Sequence, residues 1–403
     1  MNLAAWNVRT LLDNQDRHER RSAIVARQLE RFNIDVAALS ETRISGSTQF
    51  EEVGAGYTFF CQGQPVGAKC LHGVGFAIRT SLLKAVCGTP YATSPRLMKM
   101  QLNLEGGHTA TLISCYAPTL GASQEEKDLF YEQLSSMVDA VPFRHRLFIL
   151  GDFNARVGVD HTLWHKVLGR HGVGKENANG TLLLEFCTEH KLVITNTVFQ
   201  QANKLKTSWM HPRSGHWHLI DYMITRQRDL RHVRLTRAVR STTTWSDHRL
   251  IRGTIFLTAM PVKIAHRAVR RKKLDLEKLK VPAVCQAFQQ TLDEVLAADD
   301  TVEWSGFKHA VYNTAANVLG FRQKQHQDWF DDQDEEVCRL LDIMHATHLA
   351  WINNKNDRSK KDLYCRARSA AQKKLRQMKD SWWAAKARAL QIAADSNDSK
   401  AFF

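Results

Sequence analysis

The stretch RLFILGDFNARVG, residues 146–158, runs from four apolar residues, Leu147 to Leu150, into an acid and an amide, Asp152 and Asn154. A carboxylate at the end of a buried strand is costly unless it is paired, hydrogen-bonded or bound to a metal. In extended chain, side chains at i and i+2 point the same way. Asp152 and Asn154 therefore share one side of the strand end, and Phe153 points into the core. Taken alone, Gly-Asp-x-Asn is more often a turn than a site. Comparable residues recur at other strand ends. Asn7 closes LAAWN, Glu41 follows VAAL in DVAALSETRI, and Tyr116 precedes Ala117-Pro118 in LISCYAPT. Asp221 sits within apolar HLIDYMI, and Asp247-His248 come just before the last strand in TTWSDHRLI. Each has an ordinary structural reading, as loop start, core residue or turn cap. As a set they suit one crevice, because side chains at strand ends of α/β sheets converge. Hard oxygen ligands such as Glu41 and Asp247 suit Mg²⁺ or Mn²⁺. A histidine beside acids suits proton transfer or phosphate contact.

The elements that must hold these residues are short apolar runs punctuated by Gly, Pro and Asn. Strands are predicted at 3–7, 35–39, 74–79, 110–116, 146–151, 192–196, 218–225 and 250–257. Several are near-continuous apolar runs, the pattern of strands buried on both faces. Helices lie between them. Ile24, Leu29 and Phe32 fit one at 18–32. Ser123 with Glu126 makes a capping box, followed at helical spacing by Leu129, Phe130, Leu134, Met137 and Val138. Strands interleaved with helices predict a layered α/β domain.

The chain has 403 residues, 43% of them hydrophobic, and a net charge of +15. That balance favours polyanionic partners, nucleic acid first and an anionic membrane surface second, although simple solubility is the plain alternative. No apolar run reaches membrane-spanning length, and MNLAAWNVRT lacks the basic start and apolar core of a signal peptide, so an intracellular protein is expected. The eight cysteines are scattered and predict reduced core thiols. Near Pro261 the character changes. The basic segment KIAHRAVRRKKLDLEKLK reads as a linker, and helical sequence follows. Residues 351–390 hold 12 Lys/Arg against three Asp/Glu. A stripe of Tyr364, Ala371, Leu375, Met378, Trp382, Ala385, Ala389 and Ile392 runs through this segment, interrupted by Arg368. It reads equally as a face packed on another helix and as part of a helix whose basic side meets phosphates. His211, His216 and His218 match no zinc spacing, and Trp209 suits either base stacking or the core.

WNVRT, SETR, CYAP, GDFNA, IDYMI and SDHRL occur in this order, and together they resemble the endonuclease/exonuclease/phosphatase superfamily, related to DNase I and exonuclease III. The resemblance covers residues 1–258 and implies a DNase I-like α/β fold, a four-layer sandwich of two mixed β-sheets flanked by helices. HGVGKENANGTLLLEFC, LVITNTVFQ and TSWMHPRSGHWHLIDY resemble the endonuclease of RTE-like non-LTR (LINE-type) retrotransposons. The implied organisation is an endonuclease domain at 1–258, a basic linker at 259–274 and a helical, basic connector at 275–403 that ends before any reverse transcriptase.

Carried over motif by motif, the resemblance makes Glu41 the main Mg²⁺ ligand, with Asn7 and Asp247 nearby and Mn²⁺ as the alternative ion. Asp152 positions or deprotonates the attacking water, and Asn154 orients the water or the phosphate. His248 contacts the scissile phosphate as base or charge stabiliser, Asp221 fixes its tautomer, and Tyr116 meets the phosphate or leaving oxygen. Proton acceptance is thus divided between Asp152 and His248. Arg9, Arg43, Arg156 and Arg249, with Trp209, would face DNA. Repair-type relatives carry an acid where this chain has Arg9, so one tight metal site is expected. The implied activity is a Mg²⁺-dependent nick leaving 3′-hydroxyl and 5′-phosphate. The alternatives are a domesticated binding module without catalysis and an apurinic-site repair enzyme. DNA is the expected partner, RNA a further one for the basic helices, no membrane is expected, and the nucleus is the expected compartment, with RRKK at 270–273 as a weak import-like patch.

Overall fold

A computed structural model describes the chain except residues 14–19, 243, 261–273, 275–277, 280–281, 298–303, 321–328, 333, 355–356 and 397–403. The strands are β1 (Asn2–Asn7), β2 (Val36–Ser40), β3 (Ser47–Glu52), β4 (Tyr57–Gln62), β5 (Val74–Arg79), β6 (Tyr91–Ser94), β7 (Leu97–Asn103), β8 (Thr109–Tyr116), β9 (Arg146–Asp152), β10 (Leu192–Ile194), β11 (Trp209–Met210), β12 (Trp217–His218), β13 (Asp221–Arg226), β14 (Val233–Val239) and β15 (Leu250–Ile255). The helices are α1 (Arg21–Arg31), α2 (Gln124–Asp139), α3 (Ala178–Glu189), α4 (Pro282–Ala297), α5 (Trp304–Val318), α6 (Trp329–Asp332), α7 (Asp334–Asn353) and α8 (Arg358–Asp395).

Two mixed sheets carry the fold. One has the order β14-β15-β1-β2-β5-β4-β3 and the other β10-β13-β9-β8-β7-β6. Period-2 alternation explains why their central strands read as unbroken apolar runs. Leu3 and Ala5 of β1 meet Phe148 and Leu150 of β9 in the core between the sheets. Ala4 and Trp6 turn outward to pack with Val25 and Leu29 of α1. Leu147 and Ile149 of β9 turn outward to Phe130 and Leu134 of α2 and to Leu183 of α3. The result is four layers, helix on sheet on sheet on helix, as the resemblance implies. Ser123 caps α2 by accepting the Glu126 N–H. The reciprocal half of the capping box is absent, because the Glu126 carboxylate accepts from Arg96 instead.

Topology sets the site. β1 runs parallel to β2, and β8 parallel to β9, so Asn7, Ser40, Tyr116 and Asp152 all end strands at the same edge. β13 and β15 run antiparallel to these strands, which brings their first residues to that edge as well. Asp221, expected inside an apolar strand, is therefore the first residue of β13, directly opposite Asp152. His218, expected to begin that strand at 218–225, instead pairs with Trp209 in a separate two-stranded ribbon in which Trp217 meets Met210.

Two compact units are present: Met1–Val262 with Gln333–Phe403, and Lys263–Asp332. The linker expected at 259–274 lies almost entirely outside the described residues, as does RRKK at 270–273. In the smaller unit α4 and α5 pack on each other. In the larger unit α7 and α8 form a helical pair tied by a Lys374–Glu336 ion pair at 3.0 Å. The expected stripe on α8 is buried at Ala371, Leu375 and Met378, and exposed at Ala385, Ala389 and Ile392. Both readings of that helix thus find room, packing in its first half and an open basic surface beyond. No described helix is long and apolar enough to cross a membrane.

Gly151 lets β9 run close beside β8. A Cβ at this position would lie 2.0 Å from the Cys115 carbonyl oxygen, a backbone atom that cannot move aside alone. Gly151→Ala is expected to destabilise the protein by about 1–3 kcal/mol, the usual cost of overpacking. Urea denaturation checks it, and an unchanged midpoint would refute the close approach.

Candidate active site

Strand ends and the loops after them build a cleft of about 720 Å³. Its walls include Glu41, Tyr116, Asp152, Asn154, Asp247 and His248, with Arg9, Arg43, Arg156 and Trp209 around them. Asn7 and Asp221 sit beneath, fully buried. The motif residues therefore come together in space.

At the floor, Asp152 and Asp221 face each other across two strands, both essentially buried. Like charges at this range are unfavourable, and His248 compensates them. Its Nδ1 lies 2.9 Å from Asp221 Oδ2, and its Nε2 lies 4.0 Å from Asp152 Oδ2. Burial alone would lower the His248 pKa. The Asp221 charge and hydrogen bond, helped by Asp152 and Asp247, outweigh burial and lift it to about 9. Burial also lifts the Asp152 carboxyl, with the Asp221 charge adding, while His248, Asn7 and the Asn154 N–H oppose the rise. Asp152 is thus raised toward neutrality, and His248 carries the positive charge.

Asn7 organises the next layer. Its Nδ2 donates to Glu41 Oε1 at 2.9 Å and to Asp152 Oδ2 at 2.8 Å, while its Oδ1 accepts the Arg9 N–H at 2.9 Å. The amide thus presents its hydrogens to both carboxylates and bridges them, beside Glu41 as expected. Glu41 also accepts from the Tyr116 hydroxyl at 3.0 Å and from Arg43 at 2.8 Å. Burial, then the Glu41 charge, raises the Tyr116 pKa, so its phenol stays a donor. Asn154 accepts from Asn179 Nδ2 through its carbonyl at 3.1 Å. Its backbone N–H donates to Asp152 Oδ1 and its side chain to the Ala117 carbonyl, both at 2.9 Å.

Asp247 accepts from Trp209 Nε1 at 3.1 Å and faces Arg9 Nε at 3.6 Å. Trp209 is therefore a support of the acid, with its ring also 6.3 Å from that of His248. Arg249, expected to face DNA, points the other way. It is 6% exposed, donates to the Lys204 and Thr207 carbonyls, and lies 3.2 Å over the Trp217 ring. Burial lowers its pKa to about 10. Its direction follows from strand alternation, because the residue after cleft-facing His248 must turn away.

Serines missed in the sequence complete the frame. Ser246 donates to the Asn7 carbonyl at 2.6 Å and accepts the His248 N–H at 3.0 Å, fixing β1 to the histidine loop. Ser208 accepts the Asp221 N–H at 3.1 Å. Ser40 and Ser246 stand inside SETR and SDHRL, so their neighbourhood was visible although their roles were not. Left-handed backbone also gathers here. Arg9, Glu41, Arg43 and Asn154 have φ of +59°, +55°, +55° and +48°. Asn tolerates this region, but for the other three it costs about 1–2 kcal/mol each. Such strain concentrates where geometry serves function.

Two donor sets could hold a cation. Asp152, Asp221 and His248 bring ligand atoms within 4.8 Å of one another, and Asp221 Oδ1 is buried with no hydrogen-bond partner among the described residues. A histidine ligand must be neutral, so a cation there would displace the proton that the surrounding acids favour on His248. The Glu41 and Asp247 carboxylates are hard oxygen donors that open to the cleft, as Mg²⁺ or Mn²⁺ requires.

Residues 4–248 match the Endonuclease/Exonuclease/phosphatase family. Craniofacial development protein 2 of Bos taurus is 31% identical over 253 residues, 62% of this chain and 40% of the relative. The Tragulus javanicus protein of the same name is 29% identical over 250 residues, 62% and 41% of the two chains. The chain thus spans about two fifths of these curated relatives. Among solved structures, the Xenopus laevis APE2 catalytic domain superposes with a TM-score of 0.49 at 15% identity, covering 65% of this chain and 94% of that one. The endonuclease domain of TRAS1, a telomere-specific non-LTR retrotransposon, gives 0.44 at 15%, covering 63% and 98%.

The raised His248 pKa ties stability to pH. The pair's contribution is fully present below the ordinary imidazole value of about 6.5 and is lost as pH rises through about 9. In metal-free buffer, Asp221→Asn is expected to cost about 3 kcal/mol or more near pH 6, with the deficit shrinking toward pH 10. Thermal melts across that range check it, and a pH-independent deficit would mean the histidine is uncharged in the fold.

Proposed function

The chain belongs to the endonuclease/exonuclease/phosphatase family, and from that premise we propose that it is a metal-dependent DNA endonuclease whose cut leaves a 3′-hydroxyl and a 5′-phosphate. The observation that carries this reading is the buried Asp152–His248–Asp221 group beneath a cleft whose walls are hard oxygen donors and arginines. Phosphodiester hydrolysis needs an in-line nucleophile, an acceptor for its proton, and positive charge for the developing oxyanions.

Glu41 and Asp247 would hold one Mg²⁺, or Mn²⁺, which when bound supplies Lewis-acid charge at the phosphate. The chain's own residues do the rest. Asp152, with its pKa raised toward neutrality, takes the proton from water as the water oxygen bonds to phosphorus and the bond to O3′ breaks, and the departing O3′ takes a proton from solvent to become the 3′-hydroxyl. His248, its pKa lifted by the surrounding acids, is the less suited of the two to take that proton. Its imidazolium, oriented by Asp221, stabilises charge on the phosphate oxygens. Tyr116 offers its hydroxyl as donor, and Asn154 steadies Asp152. Arg9, Arg43 and Arg156 draw the polyanion toward an otherwise acidic floor.

The subgroup reading is an RTE-like non-LTR retrotransposon endonuclease, and what supports it is HGVGKENANGTLLLEFC with TSWMHPRSGHWHLIDY, together with Arg9 where repair-type relatives carry an acid. It makes the nucleus the working compartment, and the basic α8 would add contacts to DNA or RNA.

Plasmid nicking tests the proposal. With Mg²⁺ the protein should convert supercoiled plasmid to open circles. EDTA, Asp152→Asn, Asp247→Ala and His248→Ala should each slow this by about 10²-fold or more. Equal nicking by wild type and variants would sink the assignment. Salt-sensitive binding without nicking would favour a binding module, and cutting confined to abasic DNA a repair enzyme.

A further inference from the structure

Arg96, the residue before β7, meets Tyr116, the last of β8, by three routes. Its carbonyl accepts the Tyr116 N–H at 2.9 Å, and its Nη1 donates to the Tyr116 carbonyl at 3.1 Å. Its guanidinium lies 5.2 Å from the centroid of the Tyr116 ring. The Arg96 side chain is 14% exposed, so water screens that contact little. Its Nη2 donates to Glu126 Oε1 and lies 3.2 Å from His72 Nε2. Burial, then the Arg96 charge, lowers the His72 pKa, so this imidazole is neutral and can accept. The His72 ring stands 5.9 Å from the Tyr116 ring, tilted by 51°. Glu126 departs from what its sequence position asks. In Ser-x-x-Glu the acid should turn back to the N-cap backbone, and here its carboxylate goes to Arg96 instead. A local rule set aside points to another demand on the residue.

We propose that Arg96 is a positioning residue for Tyr116, and that Glu126 and His72 hold Arg96 to that task. The inference rests on the cleavage reading, because that reading gives the Tyr116 hydroxyl its role at the phosphate. The same hydroxyl donates to Glu41 at 3.0 Å, so the aim of the ring bears on the proposed metal ligand as well. Two anchors set that aim. The carbonyl bond fixes the backbone where β8 ends, and the cation fixes the ring that stands beneath it. Lysine could supply the charge but not the fork that reaches the Tyr116 carbonyl, Glu126 and His72 together. A plain tie between α2 and the sheet would need the Arg96–Glu126 pair alone, without the carbonyl bond or the ring contact. The chain from Glu126 through Arg96 to Tyr116 thus joins the first turn of α2 to the acid at the mouth of the site.

The test is a double-mutant cycle on plasmid nicking with Mg²⁺, using the full chain. Arg96→Gln should lower kcat about 2- to 30-fold, the range of one cation–π contact, with KM little changed. Arg96→Lys should fall between wild type and Arg96→Gln. Because Arg96→Gln can disturb the β7–β8 edge, Glu126→Gln is read beside it. That variant keeps a residue able to close the capping box, and it should show the same loss in smaller measure. In Tyr116→Phe, which keeps the ring and removes the hydroxyl, Arg96→Gln should cost little more, because both act through one group. A full additive loss in that background would make Arg96 a support of the fold alone and overturn the proposal. An undiminished kcat in Arg96→Gln would overturn it too. A second measurement needs no cleavage. In EDTA, carbon-13 NMR of tyrosine labelled at Cζ reports the hydrogen bond of the Tyr116 hydroxyl, its signal identified by loss in Tyr116→Phe. The signal should move in Arg96→Gln and in Glu126→Gln, and stay in Glu125→Gln, the neighbouring acid on the same turn. An unmoved signal in Arg96→Gln overturns the proposal. A moved signal beside a wild type that does not nick would leave the positioning standing and defeat the cleavage reading alone.

Discussion

Two carboxylates stand directly opposite one another on neighbouring antiparallel strands, Asp152 and Asp221, both buried. Nothing in a hydrophobic core tolerates that pairing without a cation. The register of β9 against β13 creates the problem, and His248, delivered by the loop before β15, answers it. Much of the surrounding order follows from keeping that histidine in place. Ser246 ties its backbone to β1, Trp6 donates to its carbonyl at 3.4 Å, and Ser208 fixes the start of β13. The two sheets must stack with their chemically active ends level, or the histidine from one would miss the acids of the other. The sandwich is thus a device for bringing two strand edges into one electrostatic unit.

In the proposed reaction that unit divides the work between its members in a way that pattern alone left open. Asp152 and His248 are equal candidates for the base while only their types are known. Geometry separates them. One nitrogen of His248 is committed to Asp221, and three acids surround the ring, so it keeps its proton. Asp152 has one acid opposite and donors from Asn7 and Asn154, and burial leaves it close to neutrality. A charge that is already present on His248 is available to phosphate without a prior proton transfer.

Legibility in the sequence followed burial only in part, since β4, YTFFCQ, is buried at five of its six residues and is absent from the predicted strands. β1, β2, β5, β8, β9 and β15 are central or near-central strands with apolar residues on both faces, and all are recognisable as runs. β3 and β6 lie at sheet edges, and β14 has one polar face, so the alternation dilutes into ordinary loop composition. β7 hid for another reason, because Lys99 and Gln101 interrupt its apolar residues, although Lys99 is buried with its ammonium 5.2 Å from the Tyr91 ring. At the site, residue types and order identified the acids and the histidine, since each broke an apolar run. Direction was less legible. Arg249 reads as a DNA contact by proximity alone and is turned away by alternation, while the nitrogen of Asn7 that bridges Glu41 and Asp152 has no sequence signal. The α7–α8 pairing was beyond reach, because an amphipathic stripe says that a helix is covered without saying by what.

The site depends on His248 being an imidazolium held between two buried carboxylates. Nitrogen-15 NMR of the histidine ring in metal-free protein measures this directly. The prediction is a doubly protonated ring through pH 8 that loses its proton near pH 9, with Asp221→Asn lowering that midpoint. A His248 ring already neutral at pH 7 in the wild type would contradict the account, because the paired acids would then have no buried cation and the division of roles at the site would fall with it.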